Sequence, residues 1–518
     1  MNGAQALIRT LVASDVDVCF ANPGTSEMHF VAALDDVPEM RCILALFEGV
    51  ATGAADGYGR MAERPAATLL HLGSGLGNGL ANLHNARRAF TPVVNIVGDH
   101  ATYHKQYDAP LDSDIETVAR NVSGWLRTTT STEALAADAA EAVAAARSPR
   151  GCVATLILPA DVSWTEGATP AAPVEPTAPT AVDAAVVRSV ADALRSGEKG
   201  ALFLGGRTMR EPGLVAAAKV ASATGAAMLG ETFPARLERG AGLPAVDRLS
   251  YLAEFAAMQL DATRHLVLVD AKSPVSFFAY PGKASDLVPE GCTVHVLATG
   301  SDDPVAALDA LVAELGATDA PVAVASPARP DRPTGPLDAA SLANAIGALL
   351  PEQAIVVDEG NTAGLFTSGA TAGCPRHDWL TLTGGAIGIG LPVATGAAVA
   401  CPDRPVLSIE ADGSSMYTIQ SLWTQAREGL DVTTIVLNNR SYAVLDMELQ
   451  RVGAEAGGPR ASAMLDLSEP PIDFCALAQC LGVPAARATT AEELVAHLER
   501  AFAEPGPHLI EAVLPSRL

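Results

Sequence analysis

Residues 406–415 read Val-Leu-Ser-Ile-Glu-Ala-Asp-Gly-Ser-Ser, and residues 432–442 read Val-Thr-Thr-Ile-Val-Leu-Asn-Asn-Arg-Ser-Tyr. Each segment begins with a short apolar run and ends in polar residues, and an amphipathic stretch over residues 419–428 lies between them. This order predicts two parallel strands joined by a helix, as in a doubly wound sheet. The polar residues should therefore meet at the carboxyl edge of that sheet, where such folds bind ligands.

The polar residues at the two strand ends have the composition of a metal and phosphate site. Asp412 and Asn439 offer a carboxylate and an amide oxygen, which suit Mg²⁺, a cation commonly shared with phosphate groups. The backbone N–H groups of Gly413 and Ser414, at a helix start, suit a diphosphate. The alternative is an ordinary strand–turn–helix with Asp412 as an N-cap. The Asn-Asn pair after the next strand favours the ligand site over that alternative.

Composition limits the classes of function. The chain has 518 residues, is 49% hydrophobic and carries a formal net charge of −25, so it can bury large cores and should repel nucleic acid and anionic membranes. The eight Cys form no CxxC pair, which argues against a zinc site or a disulfide framework. The N-terminus has no signal-peptide pattern, and no uncharged apolar stretch reaches about 20 residues. We expect a cytoplasmic protein without membrane or nucleic-acid partners.

Two segments rich in Pro, Ala and Thr, residues 166–182 and 318–336, are predicted linkers. In each part of the chain between and around them, short apolar runs alternate with amphipathic stretches, which predicts α/β domains with doubly wound parallel sheets. The three predicted domains are residues 1–165, 183–317 and 337–518.

The first third holds three further motifs. Glu48 follows an apolar run, a low-dielectric setting that raises the pKa of a carboxyl group, although a helix-capping role is the alternative. Residues 20–27, Phe-Ala-Asn-Pro-Gly-Thr-Ser-Glu, follow a predicted strand as a Pro-Gly turn. His71 ends another predicted strand and precedes a Gly-rich loop over residues 73–79, in which Asn78 breaks the dinucleotide pattern G-x-G-x-x-G. A histidine that is neutral near pH 7 can move protons.

Together these motifs resemble the thiamine-diphosphate enzymes of the benzoylformate decarboxylase, pyruvate decarboxylase and acetolactate synthase group, whose signature is Gly-Asp-Gly followed by Asn-Asn. The resemblance covers nearly the whole chain and implies a pyrimidine-binding, a middle and a diphosphate-binding domain. It implies that Asp412, Asn439 and the carbonyl group of Ser441 hold Mg²⁺. Ala411 stands where the first Gly of the signature is usual and follows Glu410, and whether this weakens cofactor binding is open.

The resemblance also implies roles for single residues. Glu48 would hydrogen-bond the aminopyrimidine ring and activate the cofactor, His71 would shuttle protons, and Thr25 would place its hydroxyl group near the substrate. The bulky Ile387 would force the cofactor into a bent shape. The other cofactor contacts implied by the resemblance are Pro23, Asn361, Thr362, Gly385, Gly413 and Ser414.

The implied reaction is cleavage or formation of a carbon–carbon bond on a 2-oxo acid, with an aldehyde or ketone acceptor in the case of ligation. An acetolactate synthase-like carboligase proper and a degenerate scaffold or regulatory subunit that only binds the cofactor are the alternatives. The family places its cofactor between subunits, which implies a homodimer at least and favours a homotetramer. We do not expect FAD, since no convincing site for it is recognisable.

The sequence leaves the substrate open. Candidate pocket residues are Val444 and Glu448, which follow the predicted metal loop, together with His100 and His104, which could receive a carboxylate or lie in a solvated loop. A carboxylate at Glu448 would disfavour a purely apolar aromatic ring. The segment with Phe277 and Phe278 carries no His where benzoylformate decarboxylase has its second catalytic His.

Overall fold

Strand–helix alternation runs through residues 1–454 and 458–516, the part of the chain that the computed structural model describes. The strands are β1 Val18–Asn22, β2 Arg41–Leu44, β3 Ala66–Leu70, β4 Val93–Asp99, β5 Trp125–Thr128, β6 Val153–Pro159, β7 Gly200–Leu204, β8 Ala227–Gly230, β9 Leu237–Arg239, β10 Asp247–Arg248, β11 His265–Val269, β12 Thr293–Ala298, β13 Ile355–Glu359, β14 His377–Thr381, β15 Val406–Ala411, β16 Val432–Asn438, β17 Ala485–Ala488 and β18 His508–Val513.

The helices alternate with the strands over most of the chain, as the sequence predicts, although in the described residues none of them separates β8, β9 and β10 or separates β11 from β12. They are α1 Gly3–Ala13, α2 Met28–Ala33, α3 Glu48–Ala62, α4 Leu72–Ala89, α5 Ile115–Arg120, α6 Thr132–Ala146, α7 Ala160–Trp164, α8 Ala184–Leu194, α9 Glu211–Thr224, α10 Ala253–Leu260, α11 Pro304–Leu315, α12 Ala339–Leu349, α13 Thr367–Ala370, α14 Gly390–Ala400, α15 Asp412–Ser415, α16 Ser421–Glu428, α17 Ala443–Arg451, α18 Pro459–Ala463, α19 Phe474–Cys480 and α20 Ala491–Ala503. None of these helices combines the length and the hydropathy that crossing a bilayer requires.

The first sheet has the strand order β2-β1-β3-β4-β6-β5, and all of its strands are parallel. Successive side chains of β4 alternate between two cores: Val94 and Ile96 pack with α1 and α6, whereas Val93 and Val97 pack with α3 and α4. Because both faces are covered, the strand is apolar on both up to Gly98, apart from Asn95, which is buried and hydrogen-bonds to Thr68 and Thr155. This is the doubly wound arrangement that the sequence predicts.

The other two sheets confirm three parallel-sheet α/β domains, with one exchange between them. The second sheet has the order β10-β8-β7-β11-β12, and the third has the order β17-β18-β16-β15-β13-β14-β9. Strand β9 comes from the middle of the chain, yet it pairs antiparallel with β14 and so completes the third sheet. The domain limits stay a prediction, and the composition gave no sign that a strand between the two linkers joins the last sheet.

Helices α3 and α14 join the first and third domains at a very close backbone contact. A Cβ atom added to Gly396 would lie 1.8 Å from the carbonyl oxygen of Ala54, and one added to Gly57 would lie 2.1 Å from that of Val393. Only glycine permits this approach, since any side chain would overlap the facing backbone. The two helices therefore pack at a distance that these glycines set.

A buried ion pair also restrains the contact between α3 and the third domain. Arg60, in α3, donates from Nε to Oδ1 of Asp56 at 2.8 Å and from Nη2 to Oδ2 at 2.6 Å, and both side chains are almost fully buried. Its Nη1 also donates to the carbonyl oxygen of Thr381, in the third sheet, at 2.8 Å. The bidentate geometry satisfies both charges and links the first domain to the third.

We predict that Gly396→Ala lowers the free energy of unfolding by at least about 1–3 kcal/mol, because the new methyl group would overlap the backbone of α3. Gly77→Ala is the matched control. Gly77 also lies within a helix, α4, but an added Cβ atom would meet nothing within 4 Å. The control should be neutral or stabilising by up to about 1 kcal/mol. Urea unfolding of both variants checks this, and equal effects would contradict the packing argument.

Candidate active site

The predicted metal ligands come together at the carboxyl ends of β15 and β16. These neighbouring parallel strands end side by side, so Asp412 and Asn439 follow adjacent positions. Oδ2 of Asp412 accepts a hydrogen bond from the backbone N–H of Arg440 at 2.6 Å, and Oδ1 accepts one from that of Gly413 at 2.7 Å. Oδ1 of Asn439 accepts from the backbone N–H of Ser441 at 3.0 Å. The start of α15 and the turn after β16 thus bring all three predicted ligands together.

The residues at these two strand ends offer the ligand types of a hard-cation site. Asp412 and Asn439 are both buried, and burial raises the pKa of Asp412 above its ordinary value. A nearby cation would favour the charged carboxylate and offset that cost. The available donors are a carboxylate, an amide oxygen and backbone carbonyl groups, which are the ligands that Mg²⁺ prefers. The residues present therefore fit a divalent metal.

Asn361, which follows β13, contacts the start of α15. Its Nδ2 donates to Oγ of Ser414 at 3.1 Å, and its backbone adopts the left-handed conformation with φ of 47°. Thr362 follows it in a turn. The side chain of Ser414 belongs to the short helix α15, which begins at Asp412. The structure thus brings together polar groups that the sequence assigned to one diphosphate site, although they are about 50 residues apart in the chain.

A buried carboxylate that the sequence did not single out anchors the loop over residues 384–390. Oε1 of Glu359 accepts from the backbone N–H of Gly388 at 2.7 Å, and Oε2 accepts from that of Gly390 at 2.6 Å. Burial raises the pKa of Glu359 to about 7. Ile387 lies inside this loop, and Gly385 and Gly388 have φ of 75° and 87°. Glu359 therefore fixes the segment proposed to shape the cofactor.

Glu410 packs beneath this loop. Oγ of Ser408 donates to its Oε1 at 2.7 Å, and a Cβ atom on Gly390 would lie 1.9 Å from the same oxygen. Burial and the nearby charge of Glu359 raise the pKa of Glu410 well above its usual range. Its side chain therefore packs against the loop before α14.

We predict that Glu359→Gln lowers the free energy of unfolding by about 1–3 kcal/mol, because one amide oxygen cannot accept from both backbone N–H groups that the carboxylate now satisfies. The amide protons of Gly388 and Gly390 should exchange faster in the variant. The control is Glu352→Gln, an exposed residue near the same strand. Unchanged exchange at Gly388 and Gly390 would show that the loop does not depend on Glu359.

Glu48 is the first residue of α3, and its buried carboxyl group faces α4. Nδ2 of Asn78 donates to Oε2 of Glu48 at 2.9 Å, and a Cβ atom on Gly75 would lie 2.9 Å from Oε1. The prediction of a loop over residues 73–79 was wrong, since they form the first turns of α4. Leu72, with φ of 52°, turns the chain directly from β3 into the helix. Helical spacing then places Gly75 and Asn78 on one face, against Glu48.

His71 has a partner to which the sequence assigned no role. Its Nδ1 lies 2.8 Å from Oε2 of Glu27, and the same oxygen accepts from the backbone N–H of Gly24 at 2.7 Å. Glu27 is fully buried, and burial raises its pKa. Glu27 therefore joins the loop of Pro23 and Thr25 to the imidazole ring. The sequence signal for this contact was the acidic residue three positions after Gly24 of the Pro-Gly turn.

The structure forms two groups of functional residues rather than one. In the described residues, no hydrogen bond or ion pair joins Glu48 or His71 to Asp412 or Asn439. The side chain of Asn82 links their surroundings: its Nδ2 donates to the carbonyl oxygen of Gly49 at 2.7 Å and to that of Gly388 at 3.3 Å. The start of α3 and the loop before α14 are therefore neighbours.

The candidate pocket residues lie at two separate places. The rings of His100 and His104 are 5.4 Å apart in the loop after β4. Val444 and Glu448 lie on α17, and the hydroxyl group of Tyr251 donates to Oε1 of Glu448 at 3.0 Å. The structure does not test whether any of the four contacts a substrate, so their pocket role stays a prediction.

Comparison with known proteins places both groups of residues in characterised domains. The family described as thiamine pyrophosphate enzyme, N-terminal TPP binding domain, matches residues 1–122, and the corresponding C-terminal TPP binding domain matches residues 360–512. A Mycobacterium tuberculosis protein with the provisional name acetolactate synthase large subunit IlvX is 64% identical over 100% of this chain and 99% of its own length. The chain belongs to the thiamine pyrophosphate enzyme family.

Other relatives of this thiamine pyrophosphate enzyme support the same family and fold. The benzoylformate decarboxylase of Pseudomonas aeruginosa is 30% identical, over 95% of each chain. The structure of a thiamine diphosphate-dependent 4-hydroxybenzoylformate decarboxylase from Rhodococcus jostii superimposes with a TM-score of 0.87, at 24% identity and over 99% of each chain. The latter likeness shows the fold alone. The family predicted from the sequence is confirmed.

Proposed function

We propose that this enzyme uses thiamine diphosphate and Mg²⁺ to break or form a carbon–carbon bond next to the ketone group of a 2-oxo acid. The observation that carries the proposal is the turn in which Asp412, Asn439 and Ser441 meet at the carboxyl ends of β15 and β16. The names of the decarboxylase and synthase relatives agree with this reaction class.

The third domain would hold the cofactor's diphosphate. The side chains of Asp412 and Asn439 and the carbonyl group of Ser441 would bind the metal, and Gly413, Ser414, Asn361 and Thr362 would bind phosphate oxygens. When bound, the cofactor supplies a carbon nucleophile and an electron sink. The loop of Gly385 and Ile387, fixed by Glu359, would hold it in its bent shape.

The first domain would supply the proton chemistry. Glu48 is buried at the start of α3, with one oxygen bonded to Asn78, so it can hydrogen-bond a ring nitrogen of the pyrimidine. His71, held through Nδ1 by Glu27, keeps Nε2 for exchanging a proton with substrate or product. Thr25 is exposed in the adjoining loop beside Pro23, where its hydroxyl group can contact the substrate.

A second copy of the chain would complete the site. Exposed apolar side chains follow the strands of both cofactor domains: Leu46 is 46% exposed after β2, Leu365 is 66% exposed after β13, and Tyr417 is 53% exposed after β15. Such a surface favours burial against a partner. We therefore propose a homodimer as the minimal active unit and a homotetramer as the favoured assembly.

Decarboxylation and ligation would use the same residues. They differ in what bonds to the reacting carbon after CO₂ leaves: a proton in decarboxylation, and the carbon of a second carbonyl group in ligation. A panel of 2-oxo acids, each tested with and without an aldehyde in the presence of thiamine diphosphate and Mg²⁺, separates them. CO₂ released together with the free aldehyde indicates a decarboxylase, whereas a product that joins two substrates, with the added aldehyde or a second molecule of the 2-oxo acid as acceptor, indicates a carboligase. A cofactor-binding scaffold would give neither product.

We predict that Asp412→Ala abolishes retention of thiamine diphosphate, because it removes the charged ligand from a small coordination shell. The measurement is cofactor bound after gel filtration, and chelation of the unmodified protein should have the same effect. Asp446→Ala, which removes an acid from the nearby helix α17, is the control. Full cofactor retention by Asp412→Ala would exclude Asp412 as a metal ligand.

We predict that Glu48→Gln retains the fold and most cofactor binding but slows deuterium exchange at the cofactor's C2 position by roughly 10²–10⁴-fold, the usual contribution of a general acid–base group. Proton NMR of the cofactor after acid quench measures the rate. An unchanged rate would leave Glu48 only its structural place at the start of α3.

A further inference from the structure

An aromatic ring from the middle domain stands at the rim of the proposed cofactor site. A Cβ atom on Gly385 would lie 2.8 Å from Cζ of Phe277, so the ring edge points at the loop that holds Ile387. Phe277 is nonetheless 41% exposed, and Phe278 beside it is 53% exposed. One side of this aromatic pair therefore contacts the cofactor loop, while much of its surface is open.

Further aromatic rings support Phe277 from behind. Its centroid lies 5.7 Å from that of Phe233, 5.2 Å from that of Tyr251 and 5.0 Å from that of Phe278. Edge-to-face contacts at these distances stabilise each ring in a defined position. The four rings of Phe233, Tyr251, Phe277 and Phe278 therefore form an apolar, preformed wall.

The acid nearest this wall is already paired. Glu448 accepts a hydrogen bond from Tyr251 at 3.0 Å and lies 3.8 Å from Nε of Arg451, and only 13% of its side chain is exposed. Arg451 in turn donates to Glu254 at 3.0 Å. The charges of Glu448, Arg451 and Glu254 therefore compensate one another behind Tyr251, as seen from Phe277. The Glu448 carboxylate is thus bonded within the protein, which weakens its effect on an aromatic substrate beside Phe277.

We propose that Phe277 determines specificity by packing against an aromatic side chain of the 2-oxo acid, so that the enzyme prefers aryl 2-oxo acids to short aliphatic ones. The inference rests on the proposed function for the identity of the cofactor and the reaction. A phenyl ring covers more of the open surface of Phe277 and Phe278 than a methyl group does, and it gains more free energy from burial.

The test measures binding separately from turnover. Isothermal titration of the cofactor-loaded enzyme with mandelate and with lactate compares an aryl and a methyl 2-hydroxy acid, neither of which can decarboxylate as a 2-oxo acid does. We expect mandelate to bind at least about tenfold more tightly than lactate. Phe277→Ala should remove that preference while lactate affinity stays within about twofold, and Phe277→Leu should retain part of it. Thermal unfolding verifies that each variant is folded.

The matched control is Phe255→Ala, which removes an exposed ring on α10 of the same domain and should leave both affinities unchanged. Equal affinities in the unmodified enzyme, no measurable mandelate binding, or a preference that survives Phe277→Ala would each overturn the inference. Release of CO₂ from benzoylformate and pyruvate is measured in parallel. A mandelate preference without turnover of any 2-oxo acid in the panel, with or without an aldehyde, would contradict the proposed reaction and support the aryl subsite, whereas CO₂ from pyruvate without mandelate binding would do the reverse.

Discussion

The backbones of helices α3 and α14 touch at Gly57 and Gly396, and the relative position of the two groups of functional residues depends on this contact. Glu48 is the first residue of α3, and the loop of Ile387 leads directly into α14. A helix pair separated by ordinary side chains would move these two starting points apart by several ångströms. The buried pair of Asp56 and Arg60 adds a second, directional restraint between the same domains.

The site concentrates buried carboxyl groups in a protein that is already strongly acidic. Burial raises the pKa of Glu27, of Glu359 and of Asp412, and the partners of these groups are mainly backbone N–H groups and one imidazole. Backbone dipoles offset only part of the cost of removing a charge from water. A divalent cation and a positively charged thiazolium ring would lower that cost further, so the site and its proposed ligands are electrostatically complementary.

Local patterns allowed much of the fold and part of the site to be predicted. The strands β7 and β11 have the predicted limits, and Asp412 and Asn439 follow neighbouring parallel strands, because apolar runs and polar strand ends are properties of short segments. The contacts of Glu27 with His71 and of Glu359 with Gly388 span 44 and 29 residues, and no local pattern encodes them. The wrong loop prediction over residues 73–79 has a similar cause: glycines favour a loop locally, whereas packing against Glu48 requires them within a helix.

Strand β9 has a consequence for how such chains can recombine. It lies between the two linkers in sequence but hydrogen-bonds to β14 in the last sheet, and Arg236, just before it, binds Asp378 at 2.5 Å. A crossover at the linkers that replaced the middle segment with one from a distant homologue would carry this strand away and leave the edge of β14 unpaired. Exchange of the middle segment between such chains therefore requires a donor that brings an equivalent strand.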